Sequence, residues 1–175
     1  MRKILCLSIL CFSFATTALS QNPWELGGEY MRSMGKNFKS SHVGPRYETF
    51  SKKHSWVIGL TYNFSSKQSY SGYKGFGMYA GYRYGFIFNE KGTGNAFVGG
   101  RLWFSFDNFD GKTSLNSLFI TPMAEAGYHF TFKTHYAVTP FVGYGFTKKV
   151  TKEFNSLDED FGGRLLPGID LGYRF

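Results

Sequence analysis

The stretch that decides the fold is Leu165-Leu166-Pro167-Gly168-Ile169-Asp170-Leu171-Gly172-Tyr173-Arg174-Phe175. Counting back from Phe175, every second residue is apolar: Tyr173, Leu171, Ile169, Pro167 and Leu165. Between them stand Arg174, Gly172, Asp170, Gly168 and Leu166, so the opposite face is mostly small or charged. A period of two belongs to a strand, because successive side chains point to opposite sides of a pleated backbone. Apolar residues opposite Asp and Arg fit a strand with lipid on one side and a crowded polar lumen on the other.

The same alternation recurs upstream. In Gly75–Phe88, Phe76, Met78, Ala80, Tyr82, Tyr84, Phe86 and Phe88 share one face, against Gly77, Tyr79, Gly81, Arg83 and Gly85. In Ala96–Phe106, Val98, Leu102, Phe104 and Phe106 oppose Gly99, Arg101, Trp103 and Ser105. Leu118–Phe130 sets Ile120, Ala124, Ala126, Tyr128 and Phe130 against Thr121, Met123, Glu125, Gly127 and His129. Tyr136–Val150 turns Val138, Val142, Tyr144 and Phe146 outward, and Trp56–Phe64 alternates equally well. Trp24–Met34 is the first strand expected. Val43–Phe50 alternates weakly, and Pro45 argues against a central position there. Three segments share a Pro followed five residues later by Gly and an aromatic: Pro122 with Gly127-Tyr128, Pro140 with Gly145-Phe146, and Pro167 with Gly172-Tyr173. Their phases agree, which marks a repeated strand unit.

The composition supports an all-β chain. It holds 20 Phe, 12 Tyr, 3 Trp and 22 Gly among 175 residues, a strand-rich mixture with many close backbone approaches. Residues 1–20 read as a secretory signal peptide: Arg2 and Lys3, an apolar core from Ile4 to Ala15, and Ala18-Leu19-Ser20 before Gln21. The apolar run is too short for a membrane helix. Cys6 and Cys11 both lie inside it, and Leu10 before Cys11 is larger than a lipoprotein signal accepts, so 21–175 carries no thiol. Disulfides, thiolate metal sites and thiol catalysis are thereby excluded from that domain. The formal charge of +8 falls to about +6 without Arg2 and Lys3, and the remaining basic residues are scattered between aromatics, which argues against a nucleic-acid partner.

Seven strands are plain, and an even number requires Val43–Phe50 as the eighth, in an eight-stranded antiparallel up-and-down transmembrane β-barrel spanning 21–175. Ser51–His54, Asn89–Asn95 and Thr131–His135 are then short turns at one end. Gly35–His42, Ser65–Lys74, Asn108–Asn116 and Thr151–Gly163 are longer loops at the other. The inward parity collects Glu25, Glu29, Glu48, Glu125 and Asp170 with Arg46, Arg83, Arg101, Arg164 and Arg174. A narrow barrel is filled by its own side chains, so this balanced set predicts a plugged lumen. If the loop after Phe106 turns near Lys112-Thr113, Arg101 sits across from Glu125, and if the preceding turn centres on Gly92, Arg83 flanks Arg101. A mid-barrel cluster of Arg83, Arg101 and Glu125 is expected, with Trp103 and Tyr79 beside it.

Signal, amphipathic strands, aromatic bands and the terminal Gly168-Ile169-Asp170-Leu171-Gly172-Tyr173-Arg174-Phe175 resemble the small OmpX/OmpA-like outer-membrane β-barrels, in their Bacteroidetes-type variety. The resemblance covers essentially all of 21–175. It implies an outer-membrane location in a Gram-negative cell, contact with lipid and lipopolysaccharide, and a terminal strand whose Tyr173 and Phe175 are read by the outer-membrane assembly machinery. It implies no single activity, because members include adhesins, structural barrels and lipid-modifying enzymes. The function expected is structural or surface binding through the loops, as a monomer, with the extracellular ligand unidentified. The alternatives are a narrow porin-like channel and a lipid A-modifying barrel enzyme. A lipocalin-like secreted barrel would turn the same alternation inside out. Its exterior would then be too glycine-rich and too sparsely charged, and Asn22-Pro23-Trp24 lacks that family's Gly-x-Trp.

No residue is expected to be catalytic, and no cofactor or metal site is expected. His129 shares a face with Glu125 and could meet it, but an acid–base pair also needs a nucleophile and substrate access. His42, His54, His129 and His135 show no zinc-ligand spacing. Asp158-Glu159-Asp160 reads as a solvated loop, and Gly27-Gly28, Gly99-Gly100 and Gly162-Gly163 lack the strand–loop–helix setting of a phosphate cradle.

Overall fold

Alternating residues form strands here because an apolar exterior and a polar interior can each be satisfied only on its own side of a sheet. The computed structural model describes residues 22–35, 39–67, 74–89, 93–108, 117–150 and 162–175. The strands are β1 (Trp24–Gly35), β2 (Lys39–Ser51), β3 (His54–Lys67), β4 (Lys74–Phe88), β5 (Gly94–Asn108), β6 (Ser117–Phe132), β7 (Tyr136–Phe146) and β8 (Gly163–Arg174). A two-residue piece, Lys148–Lys149, prolongs β7 past Thr147 and pairs with Phe119 and Ile120 of β6. Each strand pairs antiparallel with its sequence neighbour, and β8 pairs with β1 to close the ring. Closure leaves no sheet edge, the condition for putting strands in a bilayer.

The registers fix the barrel's geometry. One circuit of directly opposed residues runs Glu25, Glu48, Val57, Gly81, Arg101, Met123, Gly145, Arg164 and returns to β1 at Gly35. The return is ten residues further along β1, since 35 − 25 = 10. Eight strands with that stagger tilt by about 40° and enclose just enough space for side chains. Burial is inside-out: Glu25, Arg46, Arg83 and Asp170 are at most 2% exposed, whereas Trp56 and Phe76 are each 61% exposed. Charges line the interior and an apolar band lines the exterior, with aromatics toward both ends. The Trp24–Phe175 stack (4.1 Å) and the Tyr136–Tyr173 pair belong to the end with short turns.

Several boundaries differ from the sequence expectation. Pro45 lies in a central strand: opposite Gly28 the register to β1 is unbroken, while pairing to β3 lapses between Val43↔Tyr62 and Arg46↔Gly59. Proline's missing N–H is accommodated by that local lapse. β2 begins at Lys39 and β3 continues to Lys67, inside stretches whose polarity reads as loop. Ladder hydrogen bonds continue beyond the apolar band, where nothing demands apolar alternation. Strand β7 ends at Phe146 instead of running to Val150. An irregularity between Gly85 and Ile87 leaves Phe86, Ile87 and Phe88 all exposed, where strict alternation turns one inward. Residues 1–21, which include the stretch read as a signal peptide, and residues 36–38, 68–73, 90–92, 109–116 and 151–161 of the expected turns and loops, lie outside the described residues.

Candidate functional site: the plugged lumen

The inward faces of β1, β2, β4, β5, β6 and β8 bring charged side chains together in the lumen. Arg83 on β4 donates from Nε to Glu125 Oε1 at 2.8 Å, from Nη1 to Glu48 Oε2 at 2.9 Å and from Nη2 to Asp170 Oδ2 at 3.1 Å. Arg101 on β5 bridges Glu125 Oε2 at 2.8 Å and Glu29 Oε2 at 2.5 Å. Arg46 on β2 pairs with Glu48 and Asp170, and more distantly with Glu25. Tyr79 adds its hydroxyl to Glu29 Oε2 at 2.9 Å and its ring beneath the Arg101 guanidinium. Phe97 and Phe141 stack on Arg83 and Arg101 respectively, 4.5 and 4.6 Å from ring centre to guanidinium carbon. Buried ions of one sign are costly alone, so the interleaving of the two signs is what makes the filling tolerable.

Glycines give these side chains room. Arg83 faces Gly99 and Arg101 faces Gly81 across the β4–β5 pair, while Glu125 faces Gly99 and Gly143. A β-carbon at Gly81 would stand 2.7 Å from Arg101 Cγ, and one at Gly99 would stand 3.1 Å from Arg83 Cγ. Large-against-small opposition is how a small barrel's interior closes without voids or clashes.

Toward the short turns, Glu25 receives Arg174 Nη2 at 2.8 Å, His129 Nε2 lies 3.1 Å from the same carboxylate, and His129 Nδ1 meets Thr139 Oγ1 at 2.7 Å. Toward the long loops the chemistry changes. Met31, Trp103, Met123 and Leu166 form an apolar layer above the charges. Beyond it come Ser33, Ser40, His42, Asn63, Ser105, Thr121, Thr147 and Arg164, all buried. Contacts here include Thr121–Thr147 at 2.7 Å, Ser40–His42 at 2.7 Å, Arg164 to Ser33 at 3.2 Å and Trp103 Nε1 to Thr61 at 3.1 Å.

Arg83, Arg101 and Glu125 therefore meet, with Tyr79 against Arg101. The expected register needs correction: Arg101 lies across from Met123, and Glu125 across from Gly99. Arg101 reaches Glu125 along the diagonal, a reach its length allows. Trp103 lies opposite Tyr79 in the β4–β5 register and shares its buried cluster, with its ring edge-on to His42. His129 is held by Glu25, Arg174 and Thr139 in place of the suggested Glu125. Tyr173 and Phe175 lie 4.8 Å apart on the exterior, with Phe175 stacked on Trp24. The hub role of Asp170 and Glu48 escaped sequence reasoning. Inward parity marked both, but Asp170 meets Arg83 from β8, directly across the barrel.

A closed eight-stranded ring with ion pairs inside and an apolar exterior defines a small transmembrane β-barrel plugged by its own side chains. The chain is similar in fold to Neisserial surface protein A, at 12% identity over 87% of this chain and 95% of that one, with a TM-score of 0.58. It is similar also to the N-terminal β-barrel domain of Pseudomonas aeruginosa OprF, at 13% identity over 89% and 98% of the two chains, with a TM-score of 0.57. At such identities the likeness concerns the fold. No family model matches the chain, and no curated protein matches it.

Proposed function

We propose that this chain is an exported, monomeric, non-enzymatic protein of the Gram-negative outer membrane, of the OmpX/OmpA-like, Bacteroidetes-type variety. Its barrel is an anchor, and the segments Gly35–His42, Ser65–Lys74, Asn108–Asn116 and Thr151–Gly163 face outward for structural or surface-binding contacts. The observation that carries this reading is the lumen. Arg83 and Arg101 are 2% and 4% exposed, and each is paired across the barrel, with Asp170 and Glu29 respectively, which favours an anchor over a conduit. Short turns at one end and long connections at the other support the orientation, because loops carry recognition while the scaffold holds them. Tethering of His129 to Glu25, Arg174 and Thr139 favours a structural role for it over acid–base chemistry. The terminal aromatics Tyr173 and Phe175 serve the assembly machinery in this reading, and exposed cations contact lipopolysaccharide.

The membrane fraction should contain a band whose gel mobility shifts on heating. Protease treatment of intact cells should cut in the four long segments, and cleavage confined to Ser51–His54 or Asn89–Asn95 would invert the topology. Planar-bilayer recording distinguishes anchor from channel: sustained large conductance of the unmutated protein would replace this reading with the porin-like one. Deleting Phe175 should lower the inserted amount in cells, and normal insertion of that truncation would remove the assembly role.

A further inference from the structure

The barrel sorts its charges by location. The carboxylates Glu25, Glu29, Glu48, Glu125 and Asp170 are all buried in the lumen. The cations Lys52, Lys53 and Lys133 stand exposed on short turns, and no ion pair among the described residues engages them. The backbone there makes lysine an uneconomical choice. Lys52 and Lys133 have φ of 55° and 48°, and Thr134 has φ of 65°, a left-handed region that favours Gly or Asn. These are all the non-glycine residues with positive φ among those described. A residue that fits its turn poorly, and places a cation at the tip of two separate hairpins, points to a use for the charge.

Position says what kind of anion it meets. The Lys52-Lys53 turn joins β2 to β3 and the Lys133 turn joins β6 to β7, four strands apart in a ring of eight, so the two lie on opposite sides of the barrel. No single small anion can touch both. A leaflet that encircles the barrel can. The lysines also adjoin the aromatic belt: His54 bonds the Tyr82 hydroxyl and Trp56 packs on Tyr82 beside the first turn, and His135 stacks on Tyr173 beside the second. Tyr and Trp at such a rim mark headgroup depth. We propose that the short-turn rim, through Lys52, Lys53 and Lys133, binds the phosphates of anionic phospholipids in the leaflet surrounding it. This rests on the membrane reading above.

The test uses the full barrel reconstituted in phosphatidylcholine vesicles with and without phosphatidylglycerol. Retention of the two lipids on the released protein is compared by native mass spectrometry. The comparison variant carries Lys52→Asn, Lys53→Asn and Lys133→Asn, which removes the charges while suiting the left-handed positions. The unmutated protein should retain phosphatidylglycerol above its bulk fraction, by about fivefold per lysine engaged, declining with added salt. The variant should show the same folded gel mobility with retention near parity. Equal enrichment in both proteins, or none in an inserted unmutated protein, overturns the proposal. Charge-dependent retention on cell-wall sacculi without lipid enrichment also overturns it, in favour of a wall polymer. Failure of the unmutated protein to insert overturns the membrane reading itself.

Discussion

The two halves of the lumen are filled by different chemistry. The half nearer the short turns holds five carboxylates and the arginines 46, 83, 101 and 174 in interlocking pairs. The half nearer the long loops holds hydroxyls, an amide, His42 and Arg164 over the Met31–Trp103–Met123–Leu166 layer. In the first, each group depends on partners from several strands, so one deletion exposes a charge. In the second, the hydrogen bonds are between single neutral groups, as in Thr121–Thr147 and Trp103–Thr61, and the loss of one should stay small. Rigidity is thus concentrated away from the end that presents the loops.

The largest effect should come from Glu125→Ala. It strips a carboxylate from both Arg83 and Arg101, leaving them Glu48, Asp170 and Glu29, and should cost about 3–5 kcal/mol. Denaturant unfolding in detergent, read by the heat-dependent gel shift, measures it. A loss below about 1 kcal/mol would mean that the network adds little beyond filling. Next comes Leu166→Ala, at the boundary of the two halves, where Leu166 is fully buried. About 2–5 kcal/mol is expected, depending on how far Met31 and Met123 relax into the gap. The smallest should be Thr121→Val, which removes the 2.7 Å bond to Thr147 for about 1 kcal/mol. Should Thr121→Val cost as much as Glu125→Ala, the contrast between the halves fails.

Legibility in the sequence followed the same division. Two-residue alternation revealed which residues of each strand face inward, so the acidic and basic inventory could be read without coordinates. Turn composition located Ser51–His54 and Thr131–His135. Partners were harder, because parity says nothing about height. A two-residue error in the β5–β6 register moved Arg101 from Met123 to Glu125, and only the length of an arginine preserved the contact. Cross-barrel pairs such as Arg83–Asp170 depend on curvature and stagger, which emerge when all eight registers are set together. Pro45 misled because a local proline penalty was outweighed by ring closure.

The pairing of Asp170 with Arg46 and Arg83 has a consequence for how the barrel is made. β8 follows β2 and β4 in the chain, yet its aspartate neutralises cations on both. Until the seam between β8 and β1 zips, those guanidiniums lack one counter-charge and the sheet offers two bare edges. Completion of the plug and completion of the wall are therefore one event. A chain that has not yet received its final strand carries an electrostatic penalty against settling early into lipid as an open sheet.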